Sequence, residues 1–559
     1  MTIQKLIGFI APSALLLGVL AAPAEAMLLK PIGTYGTGLF DAGGAEIPTY
    51  DPITQRLFVV NGENKTIDVI GISDPTQPSL LFNIDITPFG NGANSVAFKN
   101  GLLAAAVEAV DPLDLGKAVF FNANGDLVNS VNVGVLPDML TFTPDGTRVL
   151  VANEGQPGDD YTVDPEGSVS IINLADFSVI NAGFNQFNSQ IDQLRDNGVR
   201  IFGPNATVAK DIEPEYITVS QDSTKAWVAL QENNAIATLD LINNMFTDII
   251  PLGFKDHSLP GNEIDTSDRD DAINITNRPI LGMYQPDGIT SYTVNGKTYI
   301  VTANEGDARD YDGFSEELRL GNARYQLNPD VFANADELKR PENLGRLTVT
   351  NTLGDLNGDG LFEQIYAFGA RSFTIWEWDE ATSTLKPVYD SGDDFEQITA
   401  QRLPDFFNSN NNENSFDTRS DDKGPEPEDV KIAKIGDRFY AFIGLERIGG
   451  VMAYDITDPQ NPVFIDYVNN RDFTAEPTLL DGTTNPAIKD LGPEGLLLIS
   501  AADSPNGQPL LVTANEVSGT TTLFSINVPD DVKSVPEPGA ILGLVAVASM
   551  GLLKFKRTR

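Results

Sequence analysis

The segment Asp355-Leu-Asn357-Gly-Asp359-Gly360-Leu-Phe-Glu363 is the clearest chemical motif in the chain. It sets oxygen-bearing side chains at positions 1, 3 and 5, a glycine at the sharp turn, and a glutamate at position 9, as a calcium loop does. Position 12, where an EF-hand carries its bidentate glutamate, is Tyr366, and no helical period flanks the motif. The expectation is a calcium site in a β context with Asp355, Asn357, Asp359 and Glu363 as ligands. Another divalent metal is a further option, and an Asx-rich turn without metal is the alternative.

A second set of acids recurs along the chain. Apolar runs end on glutamate at Glu63, Glu108, Glu154, Glu232, Glu305, Glu446 and Glu516. Before each lies a turn, usually proline and an acid, that opens another apolar run. These turns fall at Glu46, near Asn94, and at Asp138, Glu215, Asp287, Glu428 and Glu494. In an antiparallel hairpin the start of one strand lies beside the end of the next. Both series must then meet at one face of the fold.

Carboxylates so crowded need backbone amides, basic partners or bound cations. One expectation is that they tie repeats together through backbone hydrogen bonds. The other is a central metal or ligand site, with Glu154, Glu305 and Glu446 as candidate catalytic acids. Arg309, Arg371, Arg419 and Arg447 fall in the right segments. In that reading Arg309 or Arg447 grips a phosphoryl group while metal-bound water attacks.

Other chemistry is excluded. The chain has no cysteine, so it has neither disulfides nor thiol chemistry. Its one histidine, His257, rules out histidine-rich zinc sites. Set in a polar loop, His257 is expected at the surface. No glycine-rich loop follows a strand and opens a helix, so nucleotide folds are not indicated. Seventy-nine acidic against 37 basic residues give a formal charge of −42, which repels nucleic acid and attracts cations.

The elements that must position these acids are short β-branched runs separated by Gly, Pro, Asn and Asp. A third run follows most of the glutamates, as in 67–70, 168–172, 235–239, 451–454 and 521–526. Seven copies at this spacing predict an all-β fold, a β-propeller of seven blades. Segments 365–368 and 372–376 make eight the alternative, and two packed sandwiches are the rival architecture. Segment 28–35 is expected to supply the outer strand of the last blade and close the ring. Long polar insertions follow Asn181, Glu305 and Asp390, and Asn408 to Glu413 reads as a surface loop.

Both ends differ from the body. Lys5, an apolar stretch to Ala22 and Ala24-Glu25-Ala26 predict a cleaved signal peptide over residues 1–26 that would commit the chain to the Sec export machinery, with an uncleaved membrane anchor as the alternative. The propeller is expected over 27–530. Residues 531–559 hold Pro536-Glu537-Pro538, a 14-residue apolar run from Ala540 to Leu553, and a basic end at Lys554, Lys556, Arg557 and Arg559. That tail resembles the PEP-CTERM sorting signal, which implies a brief inner-membrane stay as a transmembrane helix and removal by an exosortase-type protease. A permanent anchor is the alternative.

Three longer signatures carry a family resemblance: Val301 to Tyr311, Tyr366 to Trp376, and Asn414 to Glu428. Together they resemble the choice-of-anchor I domain, a propeller of secreted bacterial proteins, over about Leu28 to Val528. Some of its relatives carry the name of an atypical alkaline phosphatase, and no catalytic residue carries over. The resemblance implies an exported protein of the cell surface or extracellular matrix, read here as a calcium-stabilised binding or structural module. A metal-dependent phosphoesterase is the alternative.

Overall fold

The computed structural model describes residues 28–527; the predicted signal peptide and sorting tail lie outside them. Within them, seven four-stranded antiparallel sheets follow one another along the chain. Six span 48–85, 92–135, 137–183, 217–251, 289–390 and 427–468. The seventh joins Pro493–Ile499, Leu510–Asn515 and Thr520–Ile526 to Leu29–Gly36 from the other end of the chain. The first strand of every sheet packs on that of the next, and the first strand of the seventh packs on Pro48–Asp51 of the first. The sheets are therefore blades of a closed ring, a β-propeller, and not two sandwiches.

The sequence explains the layering. Second strands such as Arg56–Asn61, Arg148–Asn153 and Lys225–Leu230 are buried at all but their first residue. They are apolar throughout because each is covered by a blade on both faces. Between the first two blades Phe58, Val60 and Val69 meet Leu103, Ala105 and Val119 in one dry cluster. An outer strand such as Ser79–Asp85 buries one residue in seven. Closure through Leu29–Gly36 leaves Thr520–Ile526 without a free edge.

The region that suggested an eighth blade resolves differently. Ser372–Asp379 and Thr384–Asp390 are the third and fourth strands of the fifth blade. Tyr366–Ala367 belongs instead to an inserted five-stranded sheet with Phe254–Asp256, Leu281–Met283, Thr348–Thr350 and Glu317–Arg319. That insertion has its own core, including Leu320, Tyr325, Leu344 and Phe362.

Two surface assignments are corrected. His257 is buried, with Nδ1 2.8 Å from the Asn262 carbonyl. Burial, with Lys255 beside it, pushes its pKa down to about 3, so it is neutral. In the segment from Asn408 to Glu413 only Glu413 is exposed: Asn408, Ser409 and Asn411 are buried, their side chains hydrogen-bonded within the insertion and to Glu446. Among the described residues no helix is long and apolar enough to cross a membrane.

Candidate functional site

The channel acids are aimed by the start of each first strand. Asn94, Asp138, Glu428 and Glu494 each sit where the pairing of their strand slips by a residue. Such a bulge turns a side chain away from the alternation of the strand. Two residues ahead of four channel acids the backbone is left-handed: Leu136 (φ 48°), Gln285 (φ 40°), Glu426 (φ 51°) and Gly492 (φ 66°). For three non-glycine residues that conformation is costly and needs support.

The support comes from the second acid series. The amide of Glu154 donates to the carbonyl of Leu136 at 3.0 Å, that of Glu446 to Glu426 at 2.8 Å, and that of Glu516 to Gly492 at 2.8 Å. In the fifth blade Gly306, next to Glu305, donates to Gln285 at 3.0 Å. The asparagine before the glutamate locks the hairpin from inside. Asn153 donates to Ser170 and accepts from Gly134, and Asn304 donates to Ser372 and Thr374.

The result is one cavity of about 350 Å³ whose wall includes Glu46, Asp138, Glu154, Glu215, Glu232, Asp287, Glu305, Glu428 and Glu494. Glu446 adjoins it, since its oxygen and those of Glu305 and Glu428 all lie within 4.8 Å of one another. Both acid series therefore reach one face of the ring. Glu63 is the exception and is exposed, while Glu108 is half-buried and accepts from Asn91 at 2.6 Å. In the second blade the first-series position is Asn94, which donates to the Pro137 carbonyl. A second cavity of about 420 Å³ continues from this one past the shared residues Ile47, Ser95, Met139 and Tyr216. Its wall carries Thr49, Thr141, Thr218 and Thr290, with Lys431 paired to Asp429 at 2.6 Å.

Backbone hydrogen bonds do not explain the ring. Among the described residues no N–H donates to the carboxylates of Glu46, Asp138, Glu215, Asp287, Glu428 or Glu494, and Glu215 Oε2 is buried without a partner. Glu215 neighbours Glu232, Asp287 neighbours Glu428, and Glu446 neighbours Glu516. Buried carboxylates this crowded repel one another unless protons or cations lie among them. Burial, then the charges of Glu516 and Asp138, push Glu46 up to about 8. Burial takes Asp138 to about 7. Burial first, and neighbouring carboxylates after it, raise Glu154, Glu215, Asp287, Glu428, Glu446 and Glu494 well above the ordinary range.

The cations are committed at the edge of this cavity. Arg309 is wholly buried and spent on Asp211 (2.9 Å) and Glu213 (2.9 Å). Arg371 binds Glu396 and three carbonyls. Arg419, Arg447 and Lys423 converge on Glu426, with Arg447 also 2.9 Å from Glu446 and Lys423 2.6 Å from Glu305. Burial would raise Glu426, but these three cations hold it well below the carboxylate range. Neither Arg309 nor Arg447 thus stands free to grip a phosphoryl group.

Lys423, Glu426, Gln231 and Asn411 were not singled out from the sequence. Gln231 donates to Glu305 at 2.8 Å and Asn411 to Glu446 at 2.9 Å. Their signal was the density of charge in Lys423-Gly-Pro-Glu426-Pro-Glu428.

The Asp355 loop lies apart from the channel and near solvent. Asp355 accepts from Gly358 and Gly360 at 2.8 Å, Asn357 from Asp359 at 2.9 Å, and Glu363 from Leu356 at 2.9 Å. Those backbone bonds lower the pKa of Asp355. The loop thus takes up these oxygens with its own amides, and Asp355, Asp359 and Glu363 do not bring three oxygens within 4.8 Å of one another.

Comparison with known proteins adds relatives. The model of the choice-of-anchor I domain matches residues 46–459. Gigasin-3a of Magallana gigas is 30% identical over 200 residues, covering 35% of this chain and 68% of that protein. The mesenchyme-specific cell surface glycoprotein of Strongylocentrotus purpuratus is 27% identical over 288 residues, 45% of this chain, and the match spans 36% of its length. Among solved structures, Kuenenia stuttgartiensis hydrazine synthase gives a TM-score of 0.45 at 12% identity, over 88% of this chain and 98% of that one. A β-propeller domain from Myceliophteria thermophila gives 0.41 at 7% identity, over 88% and 100%.

Proposed function

The chain belongs to the choice-of-anchor I domain family, and on that premise we propose that it is an exported, surface- or matrix-associated binding module stabilised by calcium in its channel. One observation carries this reading. Carboxylates from six of the seven blades meet in a single cavity whose wall includes no lysine or arginine, Lys423 and Arg447 reaching only Glu305 and Glu446 from its edge. The trio Glu305, Glu428 and Glu446 fits one ion, because oxygens at about 2.4 Å from a cation lie at most about 4.8 Å apart. A donor set of oxygens without sulfur or imidazole suits a hard cation, and calcium tolerates irregular shells better than magnesium. The Asp355 loop is a second candidate calcium position.

The cell-surface relative supports display outside the cell. The signal peptide would send the chain through the Sec machinery, and an exosortase-type protease would release it near Pro536-Glu537-Pro538. Mass spectrometry of the mature C-terminus tests this step; intact peptides ending at Arg559 from the native host would mean a lasting anchor.

Calorimetric titration of the purified full chain with calcium, magnesium and manganese tests the channel reading. Calcium binding that Glu446→Gln weakens at least tenfold is the expected result. An absence of heat and of any melting shift with all three ions would overturn it.

A further inference from the structure

The two sides of the acidic cavity are furnished differently. On one side a built-in ammonium group is already in place: Lys423 Nζ lies 2.6 Å from Glu305, 3.2 Å from Glu426 and 4.0 Å from Asp307. The other side is walled by Glu154, Glu215 and Glu232, and no lysine reaches it. Glu215 and Glu232 are only 7% and 4% exposed, yet Glu215 Oε2 and Glu232 Oε2 have no hydrogen-bond partner. Leaving a carboxylate oxygen buried without a donor is costly, and native structures rarely do so without a ligand to fill the gap. Behind this wall Arg309 is turned to Asp211 and Glu213, and Arg200 to Glu316 and the Glu232 carbonyl.

Size separates this socket from the calcium trio. Among the described residues, Glu305, Glu428 and Glu446 are the one group of three whose oxygens fall within 4.8 Å of one another. The Glu154, Glu215 and Glu232 oxygens are spread more widely. An ammonium nitrogen stands about 2.8 Å from each acceptor, so it spans a wider ring than a calcium ion and offers three donors to fill it.

We infer that the wall formed by Glu154, Glu215 and Glu232 binds a primary ammonium group, repeating with an outside ligand what Lys423 does within the chain. The inference rests on the binding-module reading of this cavity. The chemistry has two sources, the end of a free linear diamine and the side chain of a lysine in a partner polypeptide.

The test is calorimetric titration of the purified full chain, saturated with calcium, against 1,5-diaminopentane, a blocked Gly-Lys-Gly peptide, and choline. The diamine or the peptide should bind, and choline, which has no N–H to donate, should not. Tighter binding of the diamine identifies a free amine as the source; tighter binding of the peptide identifies a lysine side chain. Glu232→Gln should weaken the interaction about tenfold, the loss of one charge-assisted hydrogen bond, whereas Glu63→Gln, outside the cavity, should not. Calcium binding without amine binding overturns the inference and leaves the calcium reading intact. Equal binding of choline also overturns it, since bulk charge alone would then explain the affinity, and this comparison needs no variant to fold. Amine binding without calcium binding supports the inference and removes the calcium reading.

Discussion

The raised carboxyls make the calcium-free protein less stable as pH rises, and two of them set a lower bound on the effect. Glu46 moves from 4.5 to about 8 and Asp138 from 3.8 to about 7 on folding. Each therefore holds a proton in the folded state where the unfolded chain has released it. Stability from this source is full below about pH 4, falls while the unfolded group ionises ahead of the folded one, and levels off above about pH 8. Between pH 5 and pH 8 each group accounts for a loss on the order of 3 kcal/mol. Glu426, held far below the ordinary range, keeps its charge throughout this window and does not offset the loss. At about 2.1 cal/mol/K per residue over some 500 residues, 1 kcal/mol corresponds to about 1 °C in Tm. In chelator, Tm should thus be at least about 6 °C lower at pH 8 than at pH 5, since the other raised carboxyls add to these two. Calcium should restore it at pH 8 and do little at pH 5, where protons already occupy the carboxyls. Glu46→Gln should flatten the slope by its own share, on the order of 3 kcal/mol between pH 5 and pH 8. Differential scanning calorimetry at four pH values, with and without chelator, is sufficient. A Tm that rises with pH in chelator, or a Glu46→Gln slope equal to that of the wild type, would refute the argument.

Glu426→Gln strands Lys423, Arg419 and Arg447 around a neutral amide and should cost about 3 to 5 kcal/mol in denaturant unfolding; a cost below 1 kcal/mol would show that the cluster does not depend on that charge. Removing residues 28–36 exposes the edge of Thr520–Ile526 and the partners of buried Leu28 and Leu29. At about 1.5 to 3 kcal/mol for each leucine, the truncated chain should lose several degrees of Tm and self-associate on gel filtration; a monomer of unchanged Tm would contradict ring closure by this strand. Asp359→Ala should lower the calcium stoichiometry by one and leave the channel site filled. At a calcium concentration a hundredfold above its dissociation constant, that loop contributes about 2.7 kcal/mol, and an unchanged stoichiometry would leave it an ordinary turn.

The repeated pairing of an acid-first strand with a glutamate-last strand, legible residue by residue, was enough to determine blades, hairpins and the face on which Asp138, Glu154, Glu428 and Glu446 meet. Local strand patterns carry that information because each hairpin forms from neighbours in sequence. Only the tertiary structure decided which members of the series enter the cavity. Glu63 obeys the same pattern as Glu154 and still points to solvent. Arg309 sits beside Glu305 in the chain, yet its partners are Asp211 and Glu213, about a hundred residues away and supplied by an insertion between blades. His257 and Asn408 to Asn411 look polar and exposed in the sequence, but long insertions fold back over them and satisfy their hydrogen bonds. Composition reports the polarity of a segment; whether that polarity faces water or a buried partner depends on contacts between residues far apart in the chain.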